Sequence, residues 1–135
     1  MLKDSHRALL QNYGTLLARV VIGVFFIMAG ISKLGAGFAG TVAYIQMVGL
    51  PMPEVLTVAA IILELCGGIG ILLGWYTSYA ALALIFVCLF TAAFFHNNFA
   101  NQIQMTMFMK NLAIAAGLTF IAAYGPGTGM SMDKK

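Results

Sequence analysis

Glu64 is the one acid in the run AAIILELCGGIGILLGW, residues 59–75. A carboxylate in such surroundings can hold a proton, bind a ligand or balance a buried cation. Left unpaired in an apolar medium it costs on the order of several kcal/mol. Arg19, Lys33, His96, Lys110 and Asn111 are also polar residues set in or beside apolar stretches. Carboxylate and imidazole are natural proton carriers, so Glu64 and His96 are the candidate catalytic residues. Lys33, His96, Lys110 and Asn111 offer hydrogen-bonding groups to a polar ligand head and are the candidate ligand-binding residues. Met105, Met107 and Met109, close in sequence to His96, form a rival set, because thioethers and imidazole suit copper. Alternate residues of one helix do not share a face, so apolar filler is the simpler reading and no metal site is expected. Cys66 and Cys88 fall inside apolar segments at depths about 6 Å apart at 1.5 Å per residue, and no functional pair is expected of them.

The elements that must position these groups follow from composition. The chain of 135 residues is 61% hydrophobic and 8% charged. A soluble domain of this size has too little interior to hide that much apolar surface, so lipid is the expected solvent. A formal charge of +3 resting on so few ionisable groups is no nucleic-acid footprint. Four segments approach the ~20 residues needed to cross the hydrocarbon core: about 14–34, 54–75, 77–95 and 105–124. Backbone groups in lipid must bond internally, so the expectation is a single all-α integral membrane domain of four transmembrane helices. Between the first two spans, GFAGTVAYIQMVGLPMP places Phe38, Val42, Ile45 and Val48 at helical spacing. That predicts a short interfacial helix, ended by Gly49 and Pro51. Pro53 and Glu54 suit the first turn of the next helix. Lys3 and Arg7 before the first apolar stretch invite comparison with a cleaved signal peptide, but the stretch is too long and contains Arg19.

Lys3, Arg7, Lys134 and Lys135 lie near the termini, so the positive-inside rule puts both termini in the cytoplasm and the segments 35–53 and 96–104 outside. Arg19, Gly23, Phe26, Gly30 and Lys33 form one helical stripe, and Ala60, Glu64, Gly67, Ile71 and Gly74 form another. Small residues let membrane helices approach, so these faces are expected to pack together. With Arg19 about 7 Å from Glu64 along the axis, the reading is a structural Arg19–Glu64 ion pair. Lys33, His96, Lys110 and Asn111 reach one outward level and are expected to line a polar pocket beneath Phe38–Val48.

Several stretches together resemble the DoxX family. LLARVVIGVFFIMAGISKL is similar to its opening segment, and GLPMPEVLTVAAIILELCGGIGILLGW to its second, an acid followed by paired glycines. AAFFHNNF resembles the histidine at the end of its third helix, and MFMKNLAIAAGLTFIAAYGPGTGMSMD its last helix and tail. The resemblance runs from about Leu16 to Asp133. It implies a four-helix membrane protein. Some members are the small subunit of a thiosulfate:quinone oxidoreductase, and others are linked to quinone, electrophile or thiol stress. Arg19, Lys33, Glu64, His96, Lys110 and Asn111 fall on the family's polar positions.

Three function classes follow. The first is a quinone-interacting oxidoreductase or subunit in a bacterial inner membrane, with the quinone head near His96, Lys110 and Asn111 and no covalently bound cofactor. The sequence has no haem-attachment CxxCH and no Rossmann glycine fingerprint, so electrons would need a quinone or a partner's cofactor. The second is a non-catalytic accessory subunit of a respiratory complex, docking through HNNFANQIQ and the glycine faces, with partner subunits or a homo-oligomer around it. The third is a small-molecule or copper-handling membrane protein, disfavoured by the lack of internal repeats or broken-helix signatures.

Overall fold

The computed structural model describes residues 2–133 and is all-helical among them. Four helices are long and apolar enough to cross a membrane: α1 (Asp4–Ile31), α3 (Pro53–Leu73), α4 (Thr77–Phe95) and α5 (Gln102–Tyr124). The short α2 (Ala36–Met47) joins α1 to α3. Pro53 and Glu54 open α3. The Asn101 side chain caps α5 by accepting from the N–H groups of Ile103 and Gln104. α1 starts about ten residues earlier than its apolar pattern suggests, running through a π turn at Leu10–Gly14. That turn presents Asn12 and Thr15 to the C-terminal tail: Thr128 donates to Asn12, and Gly127 and Gly129 pack closely on Thr15 and Asn12.

α1 packs along α3, α3 against α4, α4 along α5, and α2 lies on α3. Phe26, Ile71, Leu84, Cys88, Ala115 and Leu118 fill the centre. Leu17, Val21, Phe86, Phe120 and many other large apolar side chains point outward, as they do when the solvent is lipid.

The two predicted stripes do meet, with one correction. Arg19, Gly23, Phe26 and Gly30 are the buried face of α1. Their partner on α3 is Gly68, not Gly67. A Cβ on Gly23 would sit 2.8 Å from the Gly68 carbonyl oxygen, and one on Gly67 would strike Leu84 of α4. Consecutive helical residues point about 100° apart, so the glycine pair serves two neighbours at once.

The bundle has two unlike ends. At the tail end, the residues after α5 fold back over the α3–α4 turn. Met132 N–H donates to the Leu73 carbonyl (3.1 Å) and Asp133 N–H to the Gly74 carbonyl (2.7 Å). The Asp133 carboxylate accepts from the N–H groups of Tyr76 (2.7 Å) and Thr77 (2.9 Å) and from the Thr77 hydroxyl. The tail thus satisfies carbonyls that end α3 and N–H groups that begin α4, which helix termini otherwise leave without partners. At the other end, α2 covers part of α3 and α4, and the candidate site lies beneath it.

Candidate functional site in the bundle

A cavity of about 530 Å³ lies between α2, α3 and α4. Small residues are among those lining it: Gly37 and Gly40 on α2, Ala59 and Ala60 on α3. A Cβ on Gly37 would strike the Ser32 carbonyl, whereas one on Gly40 would meet nothing within 4 Å. Leu56, Phe86 and Phe90 are among its apolar lining residues, and Phe86 is more than half exposed, so the cavity opens sideways toward lipid. Lys33, Glu64, Thr41, Tyr44, Thr91 and His96 are its polar groups. This size and mix suit a small molecule with one polar part and a large apolar part.

The ion pair in this wall is Lys33–Glu64, not Arg19–Glu64. Lys33 Nζ lies 2.7 Å and 3.0 Å from the two Glu64 oxygens and also donates to the Ala29 carbonyl at 3.0 Å. The side chains are 23% and 8% exposed. Register explains the choice. Gly23 faces Gly68, and Arg19 lies against Gly74. Arg19 is therefore level with a residue ten positions beyond Glu64, about 15 Å away along the helix. The same register brings Ala29 level with Glu64. Lys33, one turn further on, points its side chain back down the helix, as helical side chains do, and so meets the carboxylate.

Arg19 works at the tail end. Its Nη2 donates to the Met130 carbonyl, and its guanidinium lies over Gly74, close to the carbonyl-rich terminus of α3. Gly74 has φ 66°, and the guanidinium leaves no room for a side chain there.

His96 ends α4 and reaches the cavity. Its Nδ1 is 2.9 Å from Gln104 Oε1, the first turn of α5. In the neutral tautomer that donates Nδ1–H to this amide oxygen, Nε2 keeps a lone pair. Tyr44 stacks beside Phe95, ring centroids 5.2 Å apart, and donates to the Phe95 carbonyl at 3.3 Å, holding α2 on α4.

Two of the four expected pocket residues are elsewhere. Lys110 and Asn111 reach the expected depth on the wrong side of the bundle, because α5 packs along α4 away from α2. Lys110 Nζ lies 3.2 Å from Met107 Sδ and 6.0 Å from the Phe25 ring centre. Asn111 donates to the Met107 carbonyl within its own helix. Met105 and Met109 are exposed. Among the described residues no three His, Cys, Asp or Glu side chains group as metal ligands. Cys66 and Cys88 are free thiols, one exposed and one buried. Thr41 and Tyr44 were not among the expected site residues. Their signal is the helical spacing of Gly37, Gly40, Thr41 and Tyr44, which with Ile45 form the cavity side of α2.

The model of the DoxX family matches residues 14–97. Inner membrane protein YqjF of Escherichia coli is 41% identical over 128 residues, 93% of each chain. Inner membrane protein YphA of the same organism is 35% identical over 125 residues, 89% of this chain and 88% of its own. The protein named "Putative oxidoreductase CatD" of Bacillus subtilis is 41% identical over 64 residues, 47% of this chain and 46% of its own. No solved structure matches.

Proposed function

The chain belongs to the DoxX family and is an integral inner-membrane protein, and from its cavity we propose that it holds a lipophilic ligand of the quinone–quinol class for a membrane oxidoreductase. The observation that carries this reading is the cavity itself: about 530 Å³, open to lipid, apolar along its length, with a lysine–glutamate pair and a histidine among its lining groups. An isoprenoid tail would lie along Leu56, Phe86 and Phe90, and the ring would sit against the polar wall. The Bacillus relative, matched over about half of its length, is named an oxidoreductase, which supports a redox reading.

The ligand supplies the electron-carrying ring. The chain's own residues do the rest. The walls exclude water from the ring, Tyr44 and Thr41 border it from α2, and the Lys33–Glu64 pair fixes a negative carboxylate beside it at little cost in unpaired charge. His96 Nε2 can take or return a proton at the end of α4. The test is quantification of quinones extracted with the purified protein. A Cβ at Gly40 meets nothing within 4 Å, so Gly40→Leu should fill the cavity without disturbing the fold. Wild-type protein should carry quinone in stoichiometric amount and Gly40→Leu should lose most of it. Equal trace amounts in both would reject the reading.

A further inference from the structure

Hydrogen-bond accounting on the cavity wall points to the redox form of the ligand. Lys33 has three N–H donors, and all three are committed: two to Glu64 and one to the Ala29 carbonyl. The Thr41 hydroxyl donates to the Gly37 carbonyl at 2.9 Å, and the Tyr44 hydroxyl to the Phe95 carbonyl. His96 commits its Nδ1 proton to Gln104. What these groups still present is lone pairs: the remaining ones of Glu64, the oxygens of Thr41 and Tyr44, and His96 Nε2. Among the polar side chains of the wall, the Thr91 hydroxyl alone keeps an uncommitted proton.

A quinone ring carries two carbonyls and no donor. Placed here its two carbonyls would find one uncommitted side-chain donor, the Thr91 hydroxyl, and otherwise face acceptors, which leaves one carbonyl buried without a partner at about 1–3 kcal/mol. A quinol carries two O–H donors and matches the wall. We infer that the site is selective for the reduced, dihydroxy form of its ligand, and that Gln104 is a positioning residue that enforces this by fixing the His96 tautomer. The inference rests on the quinone–quinol reading above. Lys33 and the His96 Nδ1–H, read in the sequence as hydrogen-bonding groups for a ligand head, are engaged with Glu64, Ala29 and Gln104.

The imidazole's hydrogen bond joins the end of α4 to the start of α5, from His96 to Gln104. Replacing Gln104 with Leu removes the acceptor, frees the ring to present Nε2–H to the cavity, and should relax the selectivity. Gln104→Glu keeps an acceptor oxygen and should retain it. A residue that merely braced the loop would alter affinity for both redox forms alike.

The experiment measures binding of decylubiquinol, kept reduced under anaerobic conditions, and of decylubiquinone to the full chain in lipid nanodiscs, with empty nanodiscs subtracted. Wild type should bind the quinol at least about 10-fold more tightly, the factor that corresponds to 1.4 kcal/mol. The ratio should shrink several-fold in Gln104→Leu and persist in Gln104→Glu. Saturable binding of both forms with equal affinity to wild type would overturn the inference and leave the proposed function standing. Binding of neither form above empty nanodiscs would overturn both. A ratio unchanged in Gln104→Leu would remove Gln104 from the account.

Discussion

Lys33→Met should be among the most damaging single changes at the site end of the bundle. Glu64 is 8% exposed in its side chain and receives two hydrogen bonds from Lys33. Removing one partner of a buried pair costs about 3–5 kcal/mol, because the other charge stays behind. Lys33 is 23% exposed, so water already screens part of the interaction, and the lower end, about 3 kcal/mol, is expected. Lys33→Met with Glu64→Met removes both charges and should recover most of that loss, since apolar residues can replace a buried pair. The assay is unfolding in mixed micelles with increasing SDS, followed by circular dichroism, on wild type, both single variants and the double. The same cycle with Arg19→Met and Glu64→Met is the control. Residues about 15 Å apart should be additive within about 0.5 kcal/mol. Strong coupling of Glu64 to Arg19, with none to Lys33, would refute the register derived from the Gly23–Gly68 contact.

The tail should behave as a helix cap supplied from a distance. Burial pushes the Asp133 carboxyl up, but hydrogen bonds from Thr77 and Tyr76 and the Arg19 charge outweigh it and hold the group below the ordinary carboxylate range. The stability it supplies is therefore complete above the unfolded value near ~4 and lost as pH falls through the lowered one. Asp133→Asn should cost about 1 kcal/mol at neutral pH and flatten that acid limb in pH-dependent unfolding. Gly23→Leu should abolish close packing of α1 on α3 and reduce folded yield in detergent, whereas Gly117→Leu, where a Cβ meets nothing within 4 Å, should leave yield unchanged. In cells, with the native cysteines replaced, an impermeant maleimide should label Asn98→Cys and spare Met130→Cys; the opposite pattern would invert the proposed orientation.

Much of the architecture was legible because lipid imposes one rule, that long apolar runs become helices. The spans, the short α2 and the buried Arg19–Gly23–Phe26–Gly30 face all follow from composition and period. Pairing was less legible. Choosing Lys33 over Arg19 for Glu64 needs the register of α1 against α3, and that depends on which of two adjacent glycines faces which neighbour. Lys110 and Asn111 failed for a related reason: depth along a helix says nothing about which side of the bundle that helix occupies. The tail's capping of α4 by Asp133 links residues 56 positions apart, and no local pattern encodes it. Gln104 carries no chemical signal in sequence and matters only because the start of α5 faces the end of α4.

The space beneath α2 is the proposed ligand site. Photolabelling in native membranes with an azido-quinone, followed by peptide mass spectrometry, tests it most directly. The account predicts saturable adducts on the cavity residues Tyr44, Phe90 and Thr91, suppressed by excess decylubiquinol and absent in Gly40→Leu. Adducts confined to the lipid-facing surface of α5, around Phe120 and Tyr124, and insensitive to competitor would contradict it.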